Sequence, residues 1–299
     1  MKAVEIRNDS KIVIDHPCML GEGPLWDFEN HAIIWVDIEL GDIHRYSIAT
    51  NQHKITKVGH LISAVALKSS GGIVAALENG FAQVDIESGK IEYICQPEIH
   101  LVNNRFNDGK CDPAGRFWAG SMDYKSGKGH AGSLYLLDTD YSVSCKLGDV
   151  SCSNGLAWSP DHSTMYFVDT PTQQVVAYNY SVRTGEISHK RVIITCSEAD
   201  GYPDGMTIDQ GGMLWIAFWD GGKVVRYNPH TGEPIYELHL PVSRVTSCTF
   251  GGNTLEDLYI TTARTGLSES ALKQQPHAGF LFVFEKVGVK GFEAELFNG

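Results

Sequence analysis

Apolar residues in this chain fall in short bursts bounded by turn residues, not at helical spacing. Six bursts stand out: Ile33-Ile-Trp-Val-Asp37, Gly72-Ile-Val-Ala-Ala76, Arg116-Phe-Trp-Ala-Gly120, Met165-Tyr-Phe-Val-Asp169, Met213-Leu-Trp-Ile-Ala217 and Asp257-Leu-Tyr-Ile-Thr261. Their β-branched and aromatic content predicts strands. After most of them comes a second alternating run, such as Ile43-His-Arg-Tyr46, Val175-Val-Ala-Tyr178 or Val224-Val-Arg-Tyr227. Turns such as Glu87-Ser-Gly-Lys90 and His230-Thr-Gly-Glu233 then lead to a third strand. No long stretch carries the 3.6-residue apolar period, so helix is expected to be nearly absent.

A polar residue opens a further segment before each burst: Glu22, Ser63, Asn107, Asn154, Asp204 and Ser247. Their distances to the burst centres Ile34, Val74, Trp118, Tyr166, Trp215 and Tyr259 are 12, 11, 11, 12, 11 and 12 residues, and successive openings lie 41, 44, 47, 50 and 43 residues apart. A period of this size belongs to four-stranded propeller blades. The expectation is an all-β, six-bladed β-propeller of four-stranded antiparallel blades, one domain over residues 1–299, closed by the segment Val4 to Ile14 joining the blade that holds Phe280-Leu-Phe-Val-Phe284. A β-sandwich, the runner-up, does not account for the period.

In a propeller the first strand of each blade is innermost, so the six openings form one ring around the axis. Glu22, Asn107, Asn154 and Asp204 place two carboxylates and two carboxamides on it. That set suits a hard divalent cation, with Ca²⁺, Mg²⁺ or Mn²⁺ favoured over Zn²⁺ or Fe²⁺ because the ring carries neither Cys nor His. Turn chemistry is the competing explanation, since Asn154-Gly155 and Asp204-Gly205 are strong turn dipeptides. Glu22, a poor turn residue, favours the ring.

The motifs Gly21-Glu-Gly-Pro-Leu-Trp26, Asn103-Asn-Arg-Phe-Asn-Asp-Gly-Lys110, Asp112-Pro-Ala-Gly-Arg116, Ser153-Asn-Gly-Leu-Ala-Trp158, Pro203-Asp-Gly-Met206, Gly221-Gly-Lys-Val-Val-Arg226, Thr246-Ser-Cys-Thr-Phe-Gly-Gly252 and Gly288-Val-Lys-Gly291 follow in order along nearly the whole chain. Together they resemble the SMP-30/gluconolactonase/regucalcin family. The resemblance implies a six-bladed propeller with a divalent metal on its axis and hydrolysis of sugar lactones. It implies Glu22, Asn154 and Asp204 as metal ligands, Asp204 also as the acid/base group, and Arg105 and Asn107 as substrate-binding residues. Asp108 reads as a supporting or turn residue. Where many family members carry a carboxylate after the Gly-Ser/Thr-Met segment, Gly120-Ser-Met-Asp-Tyr-Lys125 has Lys125. Asp123, Tyr124 and Lys125, in a glycine- and lysine-rich loop, are further substrate-contact candidates, and Trp219 is a candidate for the channel mouth.

Charge and composition narrow the alternatives. With 24 Lys+Arg against 36 Asp+Glu the net charge is −12, which disfavours nucleic acid and anionic membrane surfaces as partners. Seven scattered cysteines without C-x-x-C spacing read as reduced thiols, and the absence of a secretion-type leader makes the cytoplasm the expected compartment. Gly127-Lys-Gly-His-Ala-Gly132 matches G-x-G-x-x-G but leads into a strand, so no dinucleotide site is expected. Besides lactone hydrolysis, two readings use the same ring: hydrolysis of another ester or a phosphotriester, and a non-catalytic calcium-binding regulatory propeller. The partner expected is a small sugar lactone; the residues do not speak to oligomeric state.

Overall fold

A computed structural model describes residues 4–299. Six sheets of four antiparallel strands stand in a ring, their innermost strands being Gly21–Asp27, Ile62–Leu67, Asn104–Cys111, Ser153–Trp158, Tyr202–Ile208 and Val245–Gly251. This is the six-bladed β-propeller that the period predicts. Among the described residues the one α-helix, Glu269–Gln274, lies in a blade-six connection and is capped by Ser268, whose hydroxyl accepts the Ala271 N–H. Among the described residues no helix is long and apolar enough to cross a membrane.

Apolar faces of neighbouring blades meet in six clusters, one per seam. Trp118 and Trp158 fill the seam between blades three and four, Trp215 that between five and six, and Trp26 that between six and one, as their recurring positions suggest. Polar stitches tie some seams and turns together. Asp112, fully buried, accepts hydrogen bonds from Trp118 Nε1 (2.8 Å), Arg116 Nε (2.8 Å) and the Tyr180 hydroxyl (2.7 Å). Asp209 repeats the device in blade five with Trp215 Nε1 (3.0 Å) and Arg226 Nε (2.7 Å).

The amino-terminal segment divides between two blades. Lys11–Ile14 pairs antiparallel with Leu281–Phe284 and completes blade six, whereas Glu5–Arg7 adds a parallel fifth strand to the outer edge of blade five. Closure therefore uses only part of Val4 to Ile14. The partner strand in blade six is four residues long, and the chain turns at Asp9, whose carboxylate takes Arg7 at 2.8 Å.

The carboxy-terminal tail crosses the end of the channel reached by the later residues of the innermost strands. Gly291 bridges to Asp209, and Phe297 pairs with Lys68 and is fully buried between blades two and three. Phe292–Glu295 in between lines a cavity of about 130 Å³ with Leu25, Lys110 and Trp158. The opposite end of the channel stays open.

Candidate functional site

Each innermost strand breaks register at or beside its ring residue. The irregularities fall between Glu22 and Leu25, Ile62 and Ala64, Phe106 and Gly109, Ser153 and Leu156, Pro203 and Met206, and Val245 and Ser247. An extra residue in a strand re-aims the side chains around it, and here the device recurs round the axis. Gly155 and Gly205 lie within strands and carry no positive φ, so Asn154-Gly155 and Asp204-Gly205 are not turns. A side chain would not fit there: a Cβ on Gly155 would come within 2.7 Å of Met206 Cβ, and one on Gly205 within 2.1 Å of Ser247 Oγ. These glycines let adjacent innermost strands approach closely.

A cavity of about 320 Å³ at the open end gathers Glu22, Arg105, Asn107, Asn154 and Asp204. Four of the six ring residues thus share one space. Ser63 instead donates to the Phe106 carbonyl, and Ser247 lines the cavity under the tail. Asp123, Tyr124 and Lys125 stand outside the lining. The Asp123 carboxylate holds Ser126, and Lys125 Nζ donates to the Val102 carbonyl at 2.7 Å. Tyr124 lies against the Arg105 guanidinium, 5.6 Å from ring centroid to Cζ.

Hydrogen bonds fix the two carboxamides. Thr170 donates its hydroxyl to the Pro203 carbonyl (2.8 Å) and so must accept from Asn154, whose Nδ2 lies 2.8 Å away. Asn154 Oδ1 is therefore the end left over; it is buried and has no hydrogen-bond partner in the protein. Asn107 is the opposite case. Its Nδ2 donates to the Ser153 carbonyl (2.8 Å) and its Oδ1 accepts from Arg105 Nη1 (2.6 Å), which also reaches the Phe106 carbonyl (2.8 Å).

Negative charge crowds the axis. Burial, and then the charge of Asp108, pushes the Glu22 carboxyl up to about 8. Asp204 is driven well above the carboxylate range by burial and then by Glu22 and Asp108, and burial raises Asp108 itself. Each accepts the N–H of its following glycine, at 2.8 Å for Glu22 and 2.7 Å for Asp108, which offsets only part of the desolvation. Lys110 beneath them donates to the Met206 carbonyl at 2.6 Å.

The structure supports a fit to a hard cation. Burial of two carboxylates and an orphaned amide oxygen, Glu22, Asp204 and Asn154 Oδ1, is only partly offset by Arg105 and the glycine N–H groups, and a divalent ion would satisfy all three. Among the described residues no three His, Cys, Asp or Glu side chains are grouped to hold a metal, so the amide is the necessary third donor.

Several lining residues escaped the sequence reading. Leu20, Cys152 and Tyr202 line the cavity, as do Met122 and Thr170; Trp219 does too, in keeping with its candidacy. The missed signal is the strand period of two. Leu20, Arg105, Cys152 and Tyr202 each precede a ring residue by two positions, so alternate side chains of one strand face build an outer tier above the ring. Cys152 brings sulfur to the cavity from outside the ring, which carries none, as expected. Burial pushes its thiol up to about 12, and Sγ rests 3.5 Å from Met122 Sδ.

Comparison with known proteins places this geometry in context. The family model described as SMP-30/Gluconolactonase/LRE-like region matches residues 20–264. A Bacillus subtilis (strain 168) protein provisionally named a sugar lactone lactonase is 39% identical over 274 residues, covering 92% of this chain and 94% of that one. Regucalcin of Sus scrofa is 38% identical over 283 residues, covering 93% and 95%. Among solved structures, a calcium-binding protein, regucalcin, from Agrobacterium tumefaciens superposes with a TM-score of 0.93 at 29% identity, covering 99% of each chain.

Proposed function

The chain belongs to the SMP-30/gluconolactonase/LRE-like family, and from that premise we propose that it is a divalent-metal-dependent hydrolase that opens lactones, with sugar lactones the class for which its bacterial relative is named. One observation carries the reading. The unpartnered Asn154 Oδ1 belongs to a residue that shares a cavity with Glu22 and Asp204, two carboxylates whose burial is only partly compensated.

Glu22, Asn154 and Asp204 would hold the ion. An all-oxygen set suits Ca²⁺, Mg²⁺ or Mn²⁺ better than Zn²⁺ or Fe²⁺. When bound, such an ion supplies Lewis-acid polarisation of the lactone carbonyl and charge stabilisation of the developing oxyanion. Asp204 takes a proton from the attacking water as the water oxygen bonds to the carbonyl carbon. The bond from that carbon to the ring oxygen then breaks, Asp204 returns the proton to the departing alkoxide, and a hydroxy acid results. Arg105, with Nη1 spent on the protein, has Nε and Nη2 left to orient substrate oxygens. Asn107 acts through Arg105, holding the guanidinium over the cavity at 2.6 Å.

Removal of divalent ions by a chelator should abolish lactone hydrolysis, and adding back one of them should restore it. The same ions should raise the melting temperature of the stripped protein, because a ligand that binds only the folded state stabilises it by about 2.7 kcal/mol at a hundredfold excess over Kd. Turnover indifferent to chelation would overturn the reading. Restored melting temperature without turnover on any lactone, ester or phosphotriester would favour an ion-holding propeller, in line with the calcium-binding description of the Agrobacterium relative.

A further inference from the structure

The strand entries that lead to Glu22 and Asn154 are held by one repeated device. In blade one the Asp37 carboxylate accepts the N–H groups of Met19 (2.7 Å) and Leu20 (3.2 Å), the residues three and two before Glu22. In blade four the Asp169 carboxylate accepts those of Ser151 (3.1 Å) and Cys152 (2.8 Å), the residues three and two before Asn154. The main chain completes each grip. Ile38, next after Asp37, donates its N–H to the Leu20 carbonyl (3.0 Å), and Thr170, next after Asp169, donates its N–H to the Cys152 carbonyl (3.1 Å).

Placement in the sheet is matched as well. Asp37 and Asp169 end the second strands of their blades and stand opposite Gly21 and Ser153, each one residue before the ring residue. Leu77 fills that place opposite Ile62 in blade two, Ser121 opposite Phe106 in blade three and Phe218 opposite Pro203 in blade five. In blade six the residues across from Val245 and Ser247 are threonines, Thr262 and Thr261. The carboxylate thus occurs only in the blades that bear Glu22 and Asn154. From this coincidence we propose that Asp37 and Asp169 are positioning residues of the ion site, each fixing a strand entry so that Glu22 or Asn154 is aimed before an ion arrives. The proposal rests on the reading of Glu22, Asn154 and Asp204 as ion ligands and adds what presets two of them.

The ligands need such a clamp because their strands leave the regular ladder. Register breaks between Glu22 and Leu25 and between Ser153 and Leu156, so ladder bonds alone do not fix the side-chain direction there. A carboxylate has two oxygens that accept diverging N–H groups together, which the leucine, serine, phenylalanine and threonine of the other blades cannot do. Its charge-assisted bonds also offset the cost of burying Asp37 completely and Asp169 in part. Turn capping explains only one of the pair. Asp37 also accepts the Leu40 N–H of its own turn (3.3 Å), whereas among the described residues the Asp169 side chain bonds the strand entry alone. Asp169 has the wider reach: Thr170, which completes its grip, also holds the Asn154 amide and the Pro203 carbonyl just before Asp204.

The test is calorimetry on ion-stripped protein titrated with Ca²⁺, Mg²⁺ and Mn²⁺ in turn. Asp37→Asn and Asp169→Asn keep the shape of the side chain but set an NH₂ group against one of the clamped N–H groups. Each should weaken ion binding by about 10–100-fold, Asp169→Asn more than Asp37→Asn, and shrink the ion-induced rise in Tm. Asp209→Asn is the control for simple loss of stability. It breaks the stitch to Trp215 and Arg226, so it should lower Tm yet leave the Kd within about threefold of wild type. Should Asp37→Asn not fold, Asp169→Asn at its partly exposed position decides alone. Folded variants binding the ions within about threefold of wild type, or Asp209→Asn losing as much affinity as they do, would overturn the proposal and leave the ion site standing. Wild type that takes up none of the three ions would overturn the ion site itself and the proposal with it.

Discussion

Thr170 grips Asn154 by the nitrogen end of its amide, Nδ2 to Oγ1 at 2.8 Å, and so decides which atom of Asn154 is left without a partner in the protein. The grip depends on the threonine hydroxyl being committed as a donor to the Pro203 carbonyl. Replacing Thr170 with Val removes both bonds and frees the carboxamide to turn. Groups that orient a ligand in this way are worth about 10–100-fold in metal affinity. Thr170→Val should weaken divalent-ion binding in calorimetry by that factor, and Thr170→Ser should recover most of it. Unchanged affinity in the valine variant would remove Thr170 from this positioning role.

Asp204→Asn separates chemistry from folding. The variant loses the group assigned to proton transfer, so kcat should fall by about 10²–10⁴-fold. It also removes one of the carboxylates crowding the axis, where burial, and then Glu22 and Asp108, hold Asp204 above its ordinary range. Ion-free Asp204→Asn should therefore melt no lower than ion-free wild type. A variant with wild-type turnover would strip Asp204 of its acid/base role, and one with a much lower melting temperature would show that the carboxylate is structural.

A histidine pair in blade one should make stability fall in mild acid. His44 Nδ1 and His53 Nε2 lie 3.0 Å apart, with His44 stacked on Trp35 at 4.8 Å. Burial, and next the nearby histidines, pushes His44 down to about 3 and His53 to about 4. In the unfolded chain both would titrate near 6.5. As pH falls from about 6.5 to 4 the unfolded state takes up protons that the native state refuses, so stability is full above that window and declines through it. His53→Gln should flatten the pH dependence of the urea midpoint in this range by roughly one proton's worth. Equal slopes in the two proteins would locate the titration elsewhere.

Asp112→Ala should be among the most damaging single changes away from the cavity. It strands the buried Arg116 guanidinium, the Trp118 indole N–H and the Tyr180 hydroxyl together. Breaking a buried pair by removing one partner costs about 3–5 kcal/mol, and the loss should appear as a lower urea midpoint with little change in KM. A loss below about 1 kcal/mol would mean that water replaces the carboxylate.

Much of this molecule was legible because a propeller repeats. Equal offsets from Glu22, Ser63, Asn107, Asn154, Asp204 and Ser247 to their bursts identified the innermost strands and the six seams. The same offsets could not say that Ser63 and Ser247 would turn away from the cavity, since that depends on neighbours across the blade, such as the Phe106 carbonyl that receives Ser63. Leu20, Cys152 and Tyr202 were readable in principle from the alternation of strand faces. Thr170 was not, because the contact with Asn154 joins the end of one strand to the inside of another. Nor could sequence divide the first residues between blades five and six, where Glu5–Arg7 and Lys11–Ile14 pair with different sheets.

Lys11–Ile14 finds its partner only in Leu281–Phe284. On the ribosome the early strand must therefore wait, unpaired on its blade-six side, while nearly all the intervening polypeptide is made. The circle cannot be sealed until the later of two strands of four residues each has been made. Over that interval the nascent chain carries an open sheet edge of the kind that recruits neighbouring chains, and crowding of polysomes is the condition under which this fold is most exposed to misassembly.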